Sequence, residues 1–463
     1  MAPKQRVIFD TDPGKFPLSL WMVAPQKHLT VLYLPFNVAL GVDDMIAMLL
    51  ALASSPEDLE LVMLSVTYGN VNLKSCLKNV VAMFHVLDKE MEWRKFQGRP
   101  QGFEALRAYK PIVAIGPEHA LEEEILMEDG FHGSDGLHGV HETHPHLSPA
   151  DTWKSLFHDD VPGAAENPSF YSYFKPSKLP AHKEMLRILK AEPAGTITIC
   201  AVGPMTNVAL AAAEDPETFL RVKELVVMGG ALECPGNVTP VAEFNTYADA
   251  IATARVFALT SAAPASTMPV VPEKIARLGP YPEKLSRQLR LSLFPLDLTT
   301  PHLLNRGFFF DTITPHVRAG SPLATWVNTM MSGVFRKVEG NYGDETEPGL
   351  SLHDPVTIWY MLTHDHPGWK TAAGAPEDIR VETSGQWTHG MHLIDRRGRK
   401  RAGEASAIGI TTDASGVVDV EEVPGDDFGW LSVRRGNRVH RFAESPGPDT
   451  FAPFLMQQLF GKI

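Results

Sequence analysis

Residues 7–14 read Val-Ile-Phe-Asp-Thr-Asp-Pro-Gly, and residues 41–44 read Gly-Val-Asp-Asp. The first stretch is an apolar strand pattern that ends in two aspartates, Asp10 and Asp12. The second stretch opens an apolar helical pattern over residues 45–52. If the two stretches meet in space, four carboxylates lie together, and like charges repel unless a cation holds them. The sequence therefore predicts a site for a hard metal ion at the carboxyl end of a strand.

The segment between these stretches, residues 15–40, does not resemble the rest of the chain. Without it, and with one flanking glycine, the join reads Asp-Thr-Asp-Pro-Gly-Val-Asp-Asp. Codons for Gly14-Lys15 can contain a splice-donor sequence, codons for Leu40-Gly41 can contain an acceptor-like sequence, and the excision keeps the reading frame. We hypothesise that this anomalous insert is a retained intron that has been translated. If the protein carries the insert, it must loop out while its two flanking glycines stay close together.

Composition limits the class of protein. The 463 residues are 44% hydrophobic and 21% charged, with a mean hydropathy of -0.09, which is typical of a globular chain with one large α/β domain or two smaller ones. The net charge of -13 argues against binding to nucleic acid or to an anionic membrane surface. Three cysteines without metal-type spacing favour a reducing compartment. With no visible secretory signal, and with prolines interrupting the apolar residues 16–40, the expected location is the cytoplasm.

Apolar runs rich in β-branched residues alternate with helical patterns along the chain. This alternation predicts an α/β fold with an open, mostly parallel (mixed), Rossmann-like sheet and helices on both faces. In such sheets ligands bind beyond the carboxyl ends of the strands. Strands are predicted at 59–66, 112–115, 196–202, 224–228 and 291–298, and helices at 73–87, 183–190, 205–213 and 356–362. Residues 1–463 are interpreted as a single domain with the insert at 15–40, peripheral excursions at about 144–180 and 262–288, and a strand-rich part from about 375.

A polar loop at residues 237–245 is the second candidate element of a site. It carries Asn237, Glu243 and Asn245 after a glycine-rich turn. Asparagine donates and accepts hydrogen bonds, whereas ionised glutamate only accepts, and such a set suits vicinal hydroxyl groups. The alternative is a loop whose polar side chains bond to its own backbone.

Two histidine-containing blocks are further candidates. Residues 352–355 read Leu-His-Asp-Pro, where Asp354 would serve as a helix cap or as a metal ligand, and His353 could donate a proton near neutral pH. Residues 131–139 are rich in glycine and carry His132, which suits either a loop that closes over a site or a plain surface loop.

Together these blocks resemble the nucleoside hydrolase family, the inosine-uridine-preferring type of N-ribohydrolase. The matching motifs follow the family order over about residues 6–362. They are residues 10–14 with 42–44, 68–70, 202–207, 227–230, 237–245 and 352–355.

The resemblance implies the nucleoside hydrolase fold, a bound Ca²⁺, and hydrolysis of the N-glycosidic bond of ribonucleosides to free base and ribose. Asp12 would ligate Ca²⁺ and act as general base on the bound water, His353 would face the leaving base, and His132 would lie on the closing loop. The other implied ligands of Ca²⁺ are the carboxylates of Asp44 and Asp354 and the backbone carbonyl of Val202. The implied substrate-side residues are Asp43, Asn237, Glu243 and Asn245 for the ribose hydroxyls, Met228 near the sugar, and Asn70 in support of the aspartates. The resemblance also implies a homodimer or homotetramer, and it leaves the base preference open.

Two other functions are compatible with the sequence. A relative impaired by the insert would bind nucleosides without hydrolysing them. A phosphohydrolase of the haloacid dehalogenase type would use Asp10 as nucleophile with Mg²⁺, although no catalytic lysine or phosphate-binding motif can be placed for it. Release of ribose rather than phosphate separates these functions.

Overall fold

The computed structural model describes residues 5–14, 41–122, 136–149, 151–157, 172–270, 273–342, 349–398, 425–432 and 435–461. The predictions for the insert at 15–40 and for His132 lie outside these residues. The described strands are β1 (Gln5–Thr11), β2 (Leu59–Val66), β3 (Ile112–Ile115), β4 (Lys175–Pro176), β5 (Ile197–Ala201), β6 (Glu224–Met228), β7 (Leu291–Phe294), β8 (Leu303–Asn305), β9 (Gly349–Ser351), β10 (Lys370–Thr371), β11 (Arg380–Val381), β12 (His392–Leu393) and β13 (Val439–Glu444).

The α-helices surround these strands. They are α1 (Val42–Ala53), α2 (Leu73–Phe96), α3 (Glu104–Ala108), α4 (Val140–Thr143), α5 (Ala181–Ala191), α6 (Thr206–Glu214), α7 (Pro216–Phe219), α8 (Phe244–Ala248), α9 (Ala250–Ala258), α10 (Leu296–Thr299), α11 (Arg306–Arg318), α12 (Pro322–Tyr342), α13 (His353–Thr363) and α14 (Pro448–Phe460). None of the helices in the described ranges combines the length and the apolar character that a transmembrane span requires.

Nine strands form the central sheet, in the order β10-β13-β7-β6-β5-β1-β2-β3-β4. All neighbouring pairs are parallel except β10 and β13, which are antiparallel. The predicted open, mostly parallel α/β sheet is therefore confirmed. The chain leaves β1 toward β2, β3 and β4, and then returns to the other side of β1 to place β5. This reversal creates a crevice at the carboxyl ends of β1 and β5, where open α/β sheets bind their ligands.

Each face of the sheet is covered by its own hydrophobic core. Side chains alternate along β1, so Val7 and Phe9 pack into one core and Ile8 packs into the other. The first core contains residues of α1, α2, α12, α13 and α14, and the second contains residues of α5, α6 and α9. Because β1 is covered on both faces, the two aspartates at its carboxyl end, Asp10 within the strand and Asp12 directly after it, are buried.

Two predicted elements have the wrong extent. The helix predicted at 73–87 continues to Phe96. The apolar run at 291–298, predicted as one strand, divides at Pro295 into β7 and the short helix α10. Proline has no N–H to donate to a neighbouring strand, so β7 ends there and the chain turns over the edge of the crevice.

Candidate functional site

The polar blocks found in the sequence gather in the crevice at the carboxyl ends of β1, β2, β5 and β6. Asp12 and Asp44 lie behind the crevice wall, both completely buried. The side chains or backbone of nine other predicted site residues line the crevice: Asp43, Asn70, Val202, Met228, Asn237, Glu243, Asn245, His353 and Asp354. The structure therefore brings together all of the predicted site residues that lie within its described ranges.

Three carboxylates in this crevice are close enough to share a cation. One oxygen each from Asp43, Asp44 and Asp354 lies within 4.8 Å of the other two. They belong to the first turns of α1 and α13, where the partial positive charge of a helix N-terminus favours carboxylates. Asp354 does not cap α13, because the N-cap position is Leu352; instead the backbone N–H of Asp354 is 3.5 Å from Asp43 Oδ2. The capping alternative for Asp354 is thus wrong.

Asp12 is attached to this group through Asp44 and Asn70. Its Oδ2 accepts a hydrogen bond of 2.7 Å from the backbone N–H of Asn70, and its own N–H donates to Asp44 Oδ1 at 3.2 Å. Its Oδ1 is buried and has no hydrogen-bond partner among the described residues. A side chain at Gly203 would place a Cβ 2.6 Å from this oxygen, so the glycine keeps the space beside it clear. A buried carboxylate oxygen with room beside it suits a bound cation or water.

Polar neighbours fix the orientation of Asp44. Thr11 Oγ1 donates to Asp44 Oδ1 at 2.5 Å, and Asn70 Nδ2 donates to Asp44 Oδ2 at 3.0 Å. Asn70 Nδ2 also lies 3.3 Å from the backbone carbonyl oxygen of Asp12. One asparagine side chain therefore links the two aspartates that were separated by the insert in the sequence.

Burial makes the negative charges of the cluster unfavourable without a counter-charge. Removal from water raises the pKa of Asp43 to about 6, and it raises the pKa of Asp12, Asp44 and Asp354 well above the usual range, with neighbouring carboxylates adding to each of these three shifts. A divalent cation reverses this balance, because it stabilises the ionised forms. The donor set of clustered carboxylates and a nearby carbonyl is the set that Ca²⁺ prefers.

The loop at residues 237–245 both stabilises itself and faces the crevice. Glu243 caps α8, where its carboxylate accepts the backbone N–H of Asn245 at 2.7 Å, and it also accepts the N–H of Gly230 at 2.9 Å. Asn237 Oδ1 accepts the first backbone N–H of the same helix at 2.9 Å. Asn245 Nδ2 donates to the carbonyl of Val202 at 2.7 Å. Local bonding within the loop therefore occurs for Asn237 and Glu243, whereas Asn245 bonds to Val202 outside the loop, and all three residues line the crevice.

His353 lies at the wall of the crevice as a buried imidazole. Its Nδ1 is 2.7 Å from Thr299 Oγ1, and its Nε2 has no hydrogen-bond partner among the described residues. Burial lowers the pKa of His353 to about 3, so the ring is neutral at neutral pH. A contact between His353 and a leaving base stays a prediction, and the lowered pKa means that a neutral imidazole rather than an imidazolium would make it.

Asp10 lies behind the crevice and does not line it. Its Oδ1 accepts hydrogen bonds from Ser65 at 2.5 Å and from Asn207 at 2.9 Å, and burial raises its pKa to about 7. Asp10 and Asp12 are both completely buried, but Asp10 bonds to Ser65 and Asn207, which do not line the crevice, whereas Asp12 bonds to Asn70, which does. The geometry gives no support to a phosphohydrolase that uses Asp10.

Two contributions to the site were missed in the sequence. Thr299 contacts His353 from α10, a helix that was predicted as strand. The described residues after 375, which were predicted as strand-rich, contain three strands and the 13-residue helix α14. From this part, Met391 pairs with Ala242 as an isolated antiparallel bridge, and the ring of His392 packs where a side chain at Gly230 would otherwise lie. These residues have no metal-ligand or catalytic spacing, so the sequence offered no signal for them.

The model of the family described as inosine-uridine preferring nucleoside hydrolase matches residues 36–419 of this chain. A protein of Schizosaccharomyces pombe is 31% identical over 208 residues, which are 45% of this chain and 54% of that protein. The pyrimidine-specific ribonucleoside hydrolase RihA of Klebsiella pneumoniae is 29% identical over 357 residues, which are 77% of this chain and 86% of the relative.

Among solved structures, a plant nucleoside hydrolase superposes with a TM-score of 0.58 at 20% sequence identity. The superposition covers 99% of this chain and 100% of that chain. The similarity extends over the whole sheet, including the strands whose ends form the crevice.

Proposed function

The chain belongs to the inosine-uridine preferring nucleoside hydrolase family, and from that premise we propose that it hydrolyses the N-glycosidic bond of ribonucleosides with the help of Ca²⁺. The products are the free base and ribose. One observation carries the proposal: the buried carboxylates of Asp43, Asp44 and Asp354 converge beside His353 and a loop of amide and carboxylate side chains. A cytoplasmic location and a homodimeric or homotetrameric state remain expectations from composition and family.

We propose that Asp12, Asp44, Asp354 and the carbonyl of Val202 hold the ion. The unpartnered Asp12 Oδ1 and the raised pKa values of the cluster support this fit. When bound, Ca²⁺ would supply the charge that keeps these aspartates ionised, polarise a water, and offer coordination sites to ribose hydroxyls. Asp43 lies in the group of three close carboxylates, and its side chain also faces the crevice, where it would contact the ribose.

The residues of the chain would perform the remaining steps. Asp12 takes the proton of the attacking water as general base. As the bond between C1′ and the base breaks, positive charge develops on the ribose ring, and the surrounding oxygens of Asp43, Glu243 and Asn245 stabilise it. Asn237 and Asn245 also orient the hydroxyls, and Met228 contacts the sugar. His353, which also lines the crevice, faces the leaving base.

Ribose release tests the proposal directly. We expect the protein with added Ca²⁺ to release ribose from inosine or uridine, and a chelator such as EGTA to lower the rate at least about 100-fold, because the chemistry loses its counter-charge. Re-addition of Ca²⁺ is the control for damage by the chelator. Phosphate release from nucleotides without ribose release from any nucleoside would refute the assignment.

Binding of Ca²⁺ should also change the thermal stability of the protein, and this change can be measured independently of activity. The folded-state pKa of Asp43 is about 6, above its ordinary value of 3.8, so the metal-free protein loses unfolding free energy as pH rises from about 4 through 6. The aspartates with more strongly raised pKa values extend this loss to higher pH. Since Ca²⁺ binds the ionised carboxylates, we expect it to raise Tm by several degrees at pH 8 and by much less at pH 5.

Thermal unfolding at the two pH values, with excess Ca²⁺ or with EGTA, measures this difference. The Asp44→Asn variant is the control, since it should lose most of the shift at pH 8. A shift as large at pH 5 as at pH 8 would mean that the ion binds elsewhere.

A further inference from the structure

Thr299 is a buried hydroxyl placed directly behind His353. It is the last residue of α10, and its side chain is completely buried. Its Oγ1 is 2.7 Å from His353 Nδ1 and 3.3 Å from the backbone carbonyl oxygen of Pro295. These two contacts decide where the protons of the pair lie.

The hydroxyl of Thr299 has one proton to donate. If Nδ1 of His353 carried a proton, Oγ1 would have to accept it, and the hydroxyl proton would be left to the carbonyl of Pro295. A distance of 3.3 Å is outside the usual range of O–H···O bonds, which is about 2.5–3.0 Å. The short contact therefore takes the hydroxyl proton, Thr299 donates to Nδ1, and the proton of the neutral ring is on Nε2.

The position of Nε2 determines what a proton on this atom could contact. Nε2 is buried without a hydrogen-bond partner among the described residues, and His353 lines the crevice beside Asp43 and Asp354. With a proton on Nε2 the ring offers a donor to a molecule in the crevice that His353 lines, whereas a bare Nε2 would offer an acceptor.

We propose that Thr299 is a positioning residue that holds His353 in the tautomer with a proton on Nε2, so that this N–H donates a hydrogen bond to the leaving base. The inference rests on the proposed function. The bond between C1′ and the base nitrogen breaks with its electron pair on the base, the N–H stabilises that charge, and the base takes its proton from solvent. Water supplies the hydroxyl on C1′, and its proton goes to Asp12. His353 keeps its own proton throughout.

The activity test compares leaving groups that do and do not need this hydrogen bond. Thr299→Val preserves the shape of the side chain and removes the donor, whereas Thr299→Ser keeps the hydroxyl. We expect Thr299→Val to lower kcat for inosine and uridine about 10- to 100-fold with KM little changed. With 4-nitrophenyl riboside, whose leaving group is a stable anion, kcat should stay within about threefold. Thr299→Ser should restore most of the activity on the nucleosides.

The result that would overturn the inference is an equal loss on both kinds of riboside, or a Ser variant as impaired as the Val variant. An undiminished Val variant would overturn it as well. Failure of the proposed function looks different, because the unmodified protein would then release ribose from none of the three substrates.

Long-range ¹H–¹⁵N NMR of the histidine rings tests the tautomer without any turnover. The His353→Gln variant identifies the signal that belongs to this ring. We expect the pattern of a proton on Nε2 in the unmodified protein and in Thr299→Ser, and a mixture of tautomers in Thr299→Val. A proton on Nδ1 in the unmodified protein would refute the proposal even in an inactive preparation.

Discussion

Asp12→Asn is expected to lower kcat for inosine and uridine by about three orders of magnitude. Asparagine keeps the shape of the side chain and can still accept the backbone N–H of Asn70, so the fold of the strand end should survive. It cannot take a proton from water, and it places either an amide N–H or a weaker acceptor where the unpartnered Oδ1 now lies. The variant should therefore lose both the general base and most of its affinity for Ca²⁺.

Asp10→Asn is the matched control for this variant. The two aspartates are separated by one residue, are equally buried, and both have a raised pKa. Asparagine at position 10 keeps an oxygen to accept from Ser65 and Asn207. These partners do not line the crevice, whereas Asn70, which bonds to Asp12, does, so kcat should stay within about tenfold. Initial rates of ribose release and calorimetric titration with Ca²⁺ measure the two effects. The reverse order, a severe loss at Asp10 and a mild one at Asp12, would favour Asp10 as a nucleophile and contradict our assignment.

Much of this site was predictable because strand ends are easy to recognise. Buried parallel strands are runs of β-branched residues, and the carboxyl ends of such strands meet at one edge of the sheet. Polar residues that directly follow these runs, such as Asp12 and Asn70, must therefore lie close together. The direction of each strand alone fixes the edge of the sheet at which the chain emerges.

The parts that could not be predicted depend on packing between distant segments. Thr299 lies 54 positions from His353, and only the division of the apolar run at Pro295 brings its hydroxyl to the ring. The pairing of Met391 with Ala242 likewise joins two loops without any local pattern. The sequence suggested Asp12 as a partner of Asp44 and Asp354, whereas among the described residues the carboxylate oxygens that lie within 4.8 Å of one another belong to Asp43, Asp44 and Asp354. Side-chain rotation at a crowded helix N-terminus decides such details, and residue spacing carries no information about it.

Deletion of residues 15–41 is expected to yield a folded and at least equally active protein. The backbone N–H of Gly14 bonds to the carbonyl of Gly41 at 3.2 Å, as required for a segment that leaves and re-enters the fold at one point. A Cβ on Gly41 would lie 1.3 Å from the carbonyl oxygen of Gly14. Gly14 therefore lies very close to Gly41, the residue that precedes Val42. Direct joining of Gly14 to Val42 should therefore preserve the positions of Asp12, Asp43 and Asp44.

The deletion should also raise the free energy of unfolding. Closing a loop of this length costs about 3 kcal/mol of chain entropy by the usual logarithmic scaling, and the shortened chain avoids that cost. A second variant, with the same segment replaced by an equally long Gly-Ser linker, keeps the cost and removes the apolar side chains. We expect denaturant unfolding to rank the deletion variant above both longer chains, and ribose release to be at least as fast in it. A deletion variant that is insoluble, less stable or inactive beside an active linker variant would show that the fold needs a longer connection between the two aspartate pairs. In that case we expect the sequence of the mature transcript to contain the segment.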